Sequence, residues 1–519
     1  MTATTRRDFL RDAAFAGGSA AAFAAGAAPV AAALPGRTRR ARREVAVLGG
    51  GVGGLTAAHE LVERGFRVTV YEKQAWGGKA RSIPVPHTAH GERRPLPGEN
   101  GARFFSGSYE NLPETMRRIP FGSDPDGTYG NIVVATQERV SRSGGREDTI
   151  LPYSPDPSHW TADEVRRNLL SLFAGQAPPQ ETAYFVDRLM VFLTSCQARR
   201  FGEWEHMTWA EFTHADSLSE SYRKTWVEGV PHFVLAAKAR EACARTVGRV
   251  WEIGLYAYSG RARNGGFDQV LNAPTNEVWI DPWVRRLRKL GVRFRRPVTV
   301  TGLEMRRGRI ASAIAHGPRG REEIDADWYV CALPVERARR LWDRRVLAAD
   351  PALEMTKHLE TRWMNGFQFF LREQVPIVHG HCLYVDSPWA LSSVSQAQFW
   401  SHRDFHRDYG DGSVRECVSV DIADFGEPGR LYGKTARELP PARMAHEIWT
   451  EMKAHLNDSG QQVLRDDMIH SYFFEAARGN RPPRRSDEDP LFISTPGAWA
   501  KRPGARTAIP NLFLASDYV

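Results

Sequence analysis

Val45-Ala46-Val47-Leu48-Gly49-Gly50-Gly51-Val52-Gly53-Gly54, with Glu72 eighteen residues beyond the last glycine, decides how this chain is read. The apolar run predicts a buried strand, the glycines a sharp turn, and the residues from Val52 a helix. Gly49 lets the chain reverse, and Gly51 lets backbone N–H groups approach a pyrophosphate. Gly53 sits in the same turn, and Gly54 lets the helix lie close to the sheet. Ala58, one helical turn on, keeps that contact small. The helix N-terminus then directs its partial positive charge at the phosphates. Phe66-Arg67-Val68-Thr69-Val70-Tyr71 predicts a second strand, and Glu72 at its end is placed to accept hydrogen bonds from an adenosine ribose. Glycines alone would be an ordinary turn; the complete strand, turn, helix, strand and acid specify a dinucleotide fold.

At 519 residues the chain is too long for one simple core, so two or three domains are expected. The formal charge of +9 resembles a nucleic-acid or membrane signal until it is located. Residues 1–43 hold eight arginines and two acids, so the leader carries +6 and the remaining chain only about +3. A nearly neutral body argues against nucleic acid as a partner. Within the leader, Thr5-Arg6-Arg7-Asp8-Phe9-Leu10-Arg11 resembles a twin-arginine export signal, followed by an Ala/Gly-rich stretch from Ala13 to Leu34. Ala31-Ala32-Ala33 offers a cleavage site. The twin-arginine machinery is therefore an expected partner, with an extracytoplasmic or secreted destination, or a cytoplasmic one if the leader does not function. The alternative is a basic tail, since Arg37 to Arg43 would resist translocation. Five scattered cysteines without a CxxC pair argue against a disulfide framework or a zinc ribbon.

Beyond residue 110 the pattern becomes helical, as in Ala162 to Phe173, Glu181 to Arg200 and Tyr222 to Ala244. A short helix from Trp283 to Leu290, an extended run from Val292 to Val300 and a hairpin turning at Arg307-Gly308 follow. Asp327 to Pro334 predicts a buried strand stopped by proline. Strand-like pieces at Phe367 to Leu371 and Glu416 to Ile422, and a helix from Ala442 to Leu456, come next. Asn511 to Asp517 is a last buried strand ending on an acid. Nucleotide-binding features at the start, middle and end imply a discontinuous cofactor domain carrying a substrate domain. The expected division is a leader at 1–43, cofactor domain at 44–110, 275–345 and 491–519, helical substrate part at 111–274, and sheet part at 346–490.

Trp76-Gly77-Gly78-Lys79-Ala80-Arg81-Ser82 places two glycines and two cations just after the ribose acid. Gly78 permits close backbone approach, while Lys79 or Arg81 could neutralise diphosphate charge. Together with Val45 to Gly54 and Glu72, with Glu99-Asn100-Gly101-Ala102-Arg103-Phe104-Phe105-Ser106-Gly107-Ser108-Tyr109, with Val330 to Pro334 and with Ile509 to Asp517, this sequence resembles the flavin-containing amine oxidase superfamily. Its likeness is to the phytoene desaturase and hydroxysqualene dehydroxylase branch. The resemblance implies an α/β fold, a discontinuous Rossmann-type FAD-binding domain with an inserted α+β substrate domain, and FAD as cofactor. It implies that Gly101, Ala102, Arg103 and Phe104 lie against the flavin ring. Val298 would meet the adenine through main-chain hydrogen bonds, and Asp517 would lie near the ribityl and pyrophosphate. Trp499 is either a flavin-face aromatic or a core tryptophan. Family members continue past the Asp517 motif into a helix facing the flavin, whereas this sequence stops at Val519, so a fragment is expected.

No residue stands out as a general base. His402 and His406 have helical i, i+4 spacing but no glutamate follows His402, and no metal is expected. His379-Gly380-His381 is expected to be a satisfied loop pair. Glu181 to Arg200 is amphipathic, which fits helix packing and leaves peripheral membrane contact as an alternative. The expected activity is FAD-dependent hydride removal from a C–H of an apolar, isoprenoid-like small molecule. Oxidation of an amine or amino acid is the alternative, and a non-catalytic FAD-binding scaffold the third reading.

Overall fold

Strand Glu44–Leu48 is paired in parallel on both sides, by Arg67–Tyr71 on one edge and Trp328–Cys331 on the other. The computed structural model describes residues 43–101, 103–152, 177–235, 237–475 and 490–519, and these form one unit from Arg43 to Val519. Leu512–Leu514 and Arg293–Arg295 complete a five-stranded parallel sheet. In chain order its strands lie 3-2-1-4-5, the dinucleotide-binding arrangement. Both faces are covered, which explains the uninterrupted apolar runs. Val45, Val47, Val68 and Val70 pack on helix Val52–Glu63 and on Trp279 and Trp283. Ala46 and Leu48 share the opposite core with Leu303 and Ile310 of a three-stranded antiparallel sheet. That sheet contains the expected hairpin: Thr299–Arg306 turns into Arg309–Gly317 through Arg307 and Gly308, both at positive φ.

A second, seven-stranded sheet carries the face that matters for function. Its centre is Asn365–Leu371, Glu416–Ile422 and Leu391–Ser395. Because successive side chains point to opposite faces, Phe367, Phe369, Val418, Val420 and Ile422 pack on Met444, Ile448 and Met452 of helix Pro441–Leu456. The intervening residues, Gly366, Gln368, Ser419 and Asp421, are left for the other face. Strands Gln137–Ser141 and Thr149–Pro152 extend this sheet, correcting the expectation that residues 111–274 are helical. Their charged residues hide the strand pattern, yet Arg139 and Asp148 pair with each other at the sheet edge.

The described helices between Pro179 and Tyr258 form a lobe around Phe185, Trp204, Trp209, Phe212 and Trp226. The stretch from Glu181 to Arg200 is two helices, Pro179–Leu193 and Gln197–Gly202. Its Phe185, Leu189 and Phe192 are buried in that core, so its apolar face looks inward. The Tyr222 to Ala244 stretch is broken into short turns and helix Gly229–Leu235, in whose first turn Gly229 and Pro231 sit. No described helix is long and apolar enough to cross a membrane. The expected helix at Ala162 to Phe173 and the whole leader lie outside the described residues.

One buried acid in this fold yields a pH test. Glu451, on helix Pro441–Leu456, accepts a hydrogen bond from the Ser387 hydroxyl, and burial pushes its carboxyl up to about 7 from an ordinary 4.5. The folded state therefore holds a proton that the unfolded chain releases first. Its contribution to stability falls as pH rises from about 4.5 through about 7, by of order 2 kcal/mol. Urea denaturation at pH 5 and pH 8 should show that loss, and Glu451→Gln should reduce it.

Candidate active site

Three separated pieces of chain converge on the glycine turn. Gly49 has φ +111, and a Cβ there would lie 2.8 Å from the Ala332 carbonyl oxygen. A Cβ on Gly53 would lie 2.5 Å from the Ala515 carbonyl oxygen, and one on Gly54 only 2.0 Å from that of Gly49. Gly78, at φ +57, faces Gly51, and the Gly77 amide donates to the Gly50 carbonyl at 2.9 Å. The turn is thus pressed between the ends of the Trp328–Cys331 and Leu512–Leu514 strands and the Gly77-Gly78 loop. No side chain caps helix Val52–Glu63, whose first turn carries no acid. An uncapped N-terminus in a glycine cradle suits a diphosphate.

Glu72 closes the other side. Its two oxygens accept from the Gly50 and Gln74 amides at 2.8 Å each, which locks the carboxylate at the end of its strand. Each oxygen keeps a second lone pair for a ribose hydroxyl. Removing the carboxylate strands two amides and the sugar contact together, each worth about 1–3 kcal/mol when buried. Glu72→Ala is therefore expected to lose most of its FAD on dialysis, read as the ratio of flavin to protein absorbance; full retention would contradict this placement.

The structure corrects three details of the cradle. Lys79 is paired with Glu336 at 3.2 Å and bonds the Pro490 carbonyl, while Arg81 is buried against Glu475. Both cations are neutralised within the protein, so the helix N-terminus is left as the main partner for phosphate charge. The Val298 amide donates to the Glu72 carbonyl at 2.8 Å, because the ladder of the Arg293–Arg295 strand continues to that point. That amide is thus engaged within the protein. Trp499 is not a core tryptophan: it is 48% exposed, under the Arg245 and Arg502 guanidiniums. Asp517 is exposed and accepts from the Ser516 hydroxyl at 3.1 Å, beside the Ala515 contact of Gly53.

The Glu99 to Phe104 segment joins the cradle to the larger sheet. The Gly101 amide lies directly over Gly366, where an added Cβ would come within 1.7 Å of it. Gly101 itself, at φ +79, lies against the Asp421 carboxylate. The Glu99 amide donates to Gln368 at 2.7 Å, and Gln368 and Gln396 both donate to the Ser419 hydroxyl, at 3.0 and 3.2 Å. Arg103 is held loosely, 3.7 Å from Glu99 and 3.4 Å from the Lys79 carbonyl. Phe104 meets Phe267 and His381 edge-on, at 5.7 and 5.9 Å between ring centres. Ala102 lies outside the described residues. The wall opposite the expected flavin segment is therefore polar.

Sequence reasoning missed this wall. The signal was present as alternation, with Ser419 and Asp421 set between Val418, Val420 and Ile422. It also treated His381 as a loop histidine, whereas His381 begins strand His381–Tyr384 and bonds Asp268 at 2.7 Å. Among the described residues no group of three or more metal-ligating side chains occurs. His402 lies outside the short helix Phe405–Asp408, and His406 bonds the Gly412 carbonyl instead. A surface cleft of about 460 Å³ lined by Trp400, Arg403, His406 and Arg415 is separate from the cradle.

The sequence profile of flavin containing amine oxidoreductases matches residues 52–519, from the cradle helix through the last strand. The chain belongs to that family. Its cofactor is FAD, and it is an FAD-dependent oxidoreductase. The chain is 36% identical over 114 residues to the carotenoid phi-ring synthase of Streptomyces griseus, a match covering 21% of this chain and 20% of that protein. It is 28% identical over 144 residues to the zeta-carotene desaturase of Zea mays, covering 27% of this chain and 23% of the relative. The matches thus span about a fifth of these curated relatives. Similar solved structures include an oxidoreductase from Methanosarcina mazei (TM-score 0.57, 14% identity, 92% of this chain and 95% of that one). Putrescine oxidase bound to putrescine (0.57, 13%, 91% and 93%) and cyclohexylamine oxidase from Brevibacterium oxydans (0.54, 11%, 92% and 93%) share the fold.

Proposed function

We propose that this flavoenzyme oxidises a substrate C–H that lies beside a polar group, an amine or a hydroxyl. The observation that carries the reading is the polar sheet face formed by Gln368, Ser419 and Asp421, pressed against Gly101. These groups are already tied to the Glu99 amide and to Gln396, so the face presents fixed dipoles and a carboxylate that an amine or hydroxyl can hydrogen-bond and a hydrocarbon cannot. FAD, when bound, supplies the hydride acceptor. The chain's own contribution is to hold the cofactor through Gly49 to Gly54 and Glu72, to fix the Glu99 to Phe104 segment, and to orient the substrate's polar end.

A second reading, an apolar isoprenoid-like substrate, is supported by the carotenoid enzymes among the relatives. Anaerobic bleaching of the FAD absorbance distinguishes the two. Hexylamine or hexan-2-ol should bleach it under the first reading, and a squalene-type polyene alone under the second. A flavin that nothing bleaches points to the scaffold. Export through the twin-arginine route belongs to the proposal as well, supported by Arg6 and Arg7 before the Ala/Gly-rich stretch.

A further inference from the structure

We propose that His381, held by Asp268, is the base that receives the substrate's heteroatom proton during oxidation. This rests on the reading just given, a substrate with an N–H or O–H beside the reacting carbon.

The two residues come from separate elements. Asp268 precedes strand Gln269–Leu271, and His381 opens strand His381–Tyr384 of the larger sheet. The same carboxylate oxygen accepts from the His381 amide at 3.2 Å and pairs with Nδ1 of its ring at 2.7 Å. That contact fixes the tautomer: a proton stays on Nδ1, and the Nε2 lone pair becomes the acceptor, as in other His–Asp pairs that move protons. Among the described residues Nε2 has no hydrogen-bond partner, and the side chain keeps 14% of its surface exposed. Asp268 is 1% exposed, and its second oxygen has no partner. The ring also stands edge-on to Phe104, on the segment that meets the flavin by family resemblance.

Charged groups surround the imidazole on several sides. Burial opposes its protonation, but Asp268, then Glu138 on the neighbouring strand and Asp421 two strands away in the same sheet, raise its pKa above the ordinary 6.5. Asp421 is the carboxylate that touches Gly101; His381 is paired with Val394, Val394 with Ser419 and Ser419 with Gln368, so the imidazole stands on the same sheet face as the polar wall. The balance of the step is simple. FAD, when bound, would supply the two-electron acceptor for the hydride of the breaking C–H bond, while the pair of the breaking N–H or O–H bond would form the C=N or C=O bond. The proton goes to Nε2 of His381; substrate is oxidised by two electrons and flavin reduced by two.

The test uses the FAD-loaded protein, with hexylamine and hexan-2-ol as probes, and follows anaerobic bleaching against pH. In wild type the rate should rise with pH through a limb above the ordinary histidine range, as Nε2 loses its proton. Asp268→Asn should move that limb to lower pH. The shift must appear with hexan-2-ol, which does not itself titrate there. His381→Gln should remove the limb and slow bleaching by about 10²-fold at unchanged FAD content. Independently of turnover, ¹⁵N-histidine NMR of the holoprotein should show one imidazole titrating high, absent in His381→Gln and lowered in Asp268→Asn. If His381→Gln fails to fold, the Asp268→Asn limb and NMR shift decide. Unchanged bleaching and an intact limb in His381→Gln would overturn the inference while leaving the oxidation of polar substrates standing. Bleaching by a polyene but by neither probe, or by nothing at all, would overturn both.

Discussion

Gly54→Ala is expected to abolish FAD binding and to destabilise the fold by about 3 kcal/mol or more. The added methyl would sit 2.0 Å from the Gly49 carbonyl oxygen, which is backbone in a turn already fixed by its own contacts. No rotamer relieves that overlap. Either the helix tilts away from the sheet or the turn opens, and both remove the N-terminal amides from the diphosphate. The purified variant should be colourless, with a lower melting temperature, and added FAD should not restore it. Gly302→Ala is the control: its nearest neighbour would be 3.8 Å away, an ordinary contact, so melting and flavin content should stay close to wild type. A yellow Gly54→Ala protein that melts normally would show that the helix does not lie where it has been placed.

Gly366→Ala is expected to separate cofactor binding from turnover. A Cβ here would meet the Gly101 amide nitrogen at 1.7 Å and its Cα at 2.2 Å, again backbone against backbone. The strain falls on the junction between the Glu99 to Phe104 segment and the sheet, remote from the Glu72 contacts. The segment must lift, which parts Gln368 from the Glu99 amide and widens the polar chamber. Bleaching by any substrate that works on wild type should fall by at least about 10²-fold, since a displacement near 1 Å at a reacting centre costs that much. Flavin should be retained, with an altered visible spectrum as its surroundings change. Loss of FAD equal to that of Gly54→Ala would instead mean that the junction helps hold the cofactor.

Much of the cofactor half was legible in the sequence for physical reasons. Glycine spacing is read directly because only glycine fits where Gly49 and Gly54 press on other backbone. Runs such as Val45 to Leu48 and Trp328 to Cys331 are apolar throughout because both sheet faces are covered. Glu72 was legible because its place at a strand end follows from the strand's length. The charge partners were not: Lys79 and Arg81 meet Glu336 and Glu475, some 257 and 394 residues away, and no local pattern encodes such pairs.

By itself the sequence determined that a Rossmann-type cradle stands at residues 44–72 and which glycines and acid build its turn, and the family resemblance implied FAD. Those properties depend on local chain stiffness, period and close backbone approach, all written in neighbouring residues. Only the tertiary structure decided that the opposite wall is polar, and that Asp268 and His381 meet beside Phe104. Register between strands far apart in the chain sets those meetings, and register depends on packing of the whole sheet rather than on any one segment.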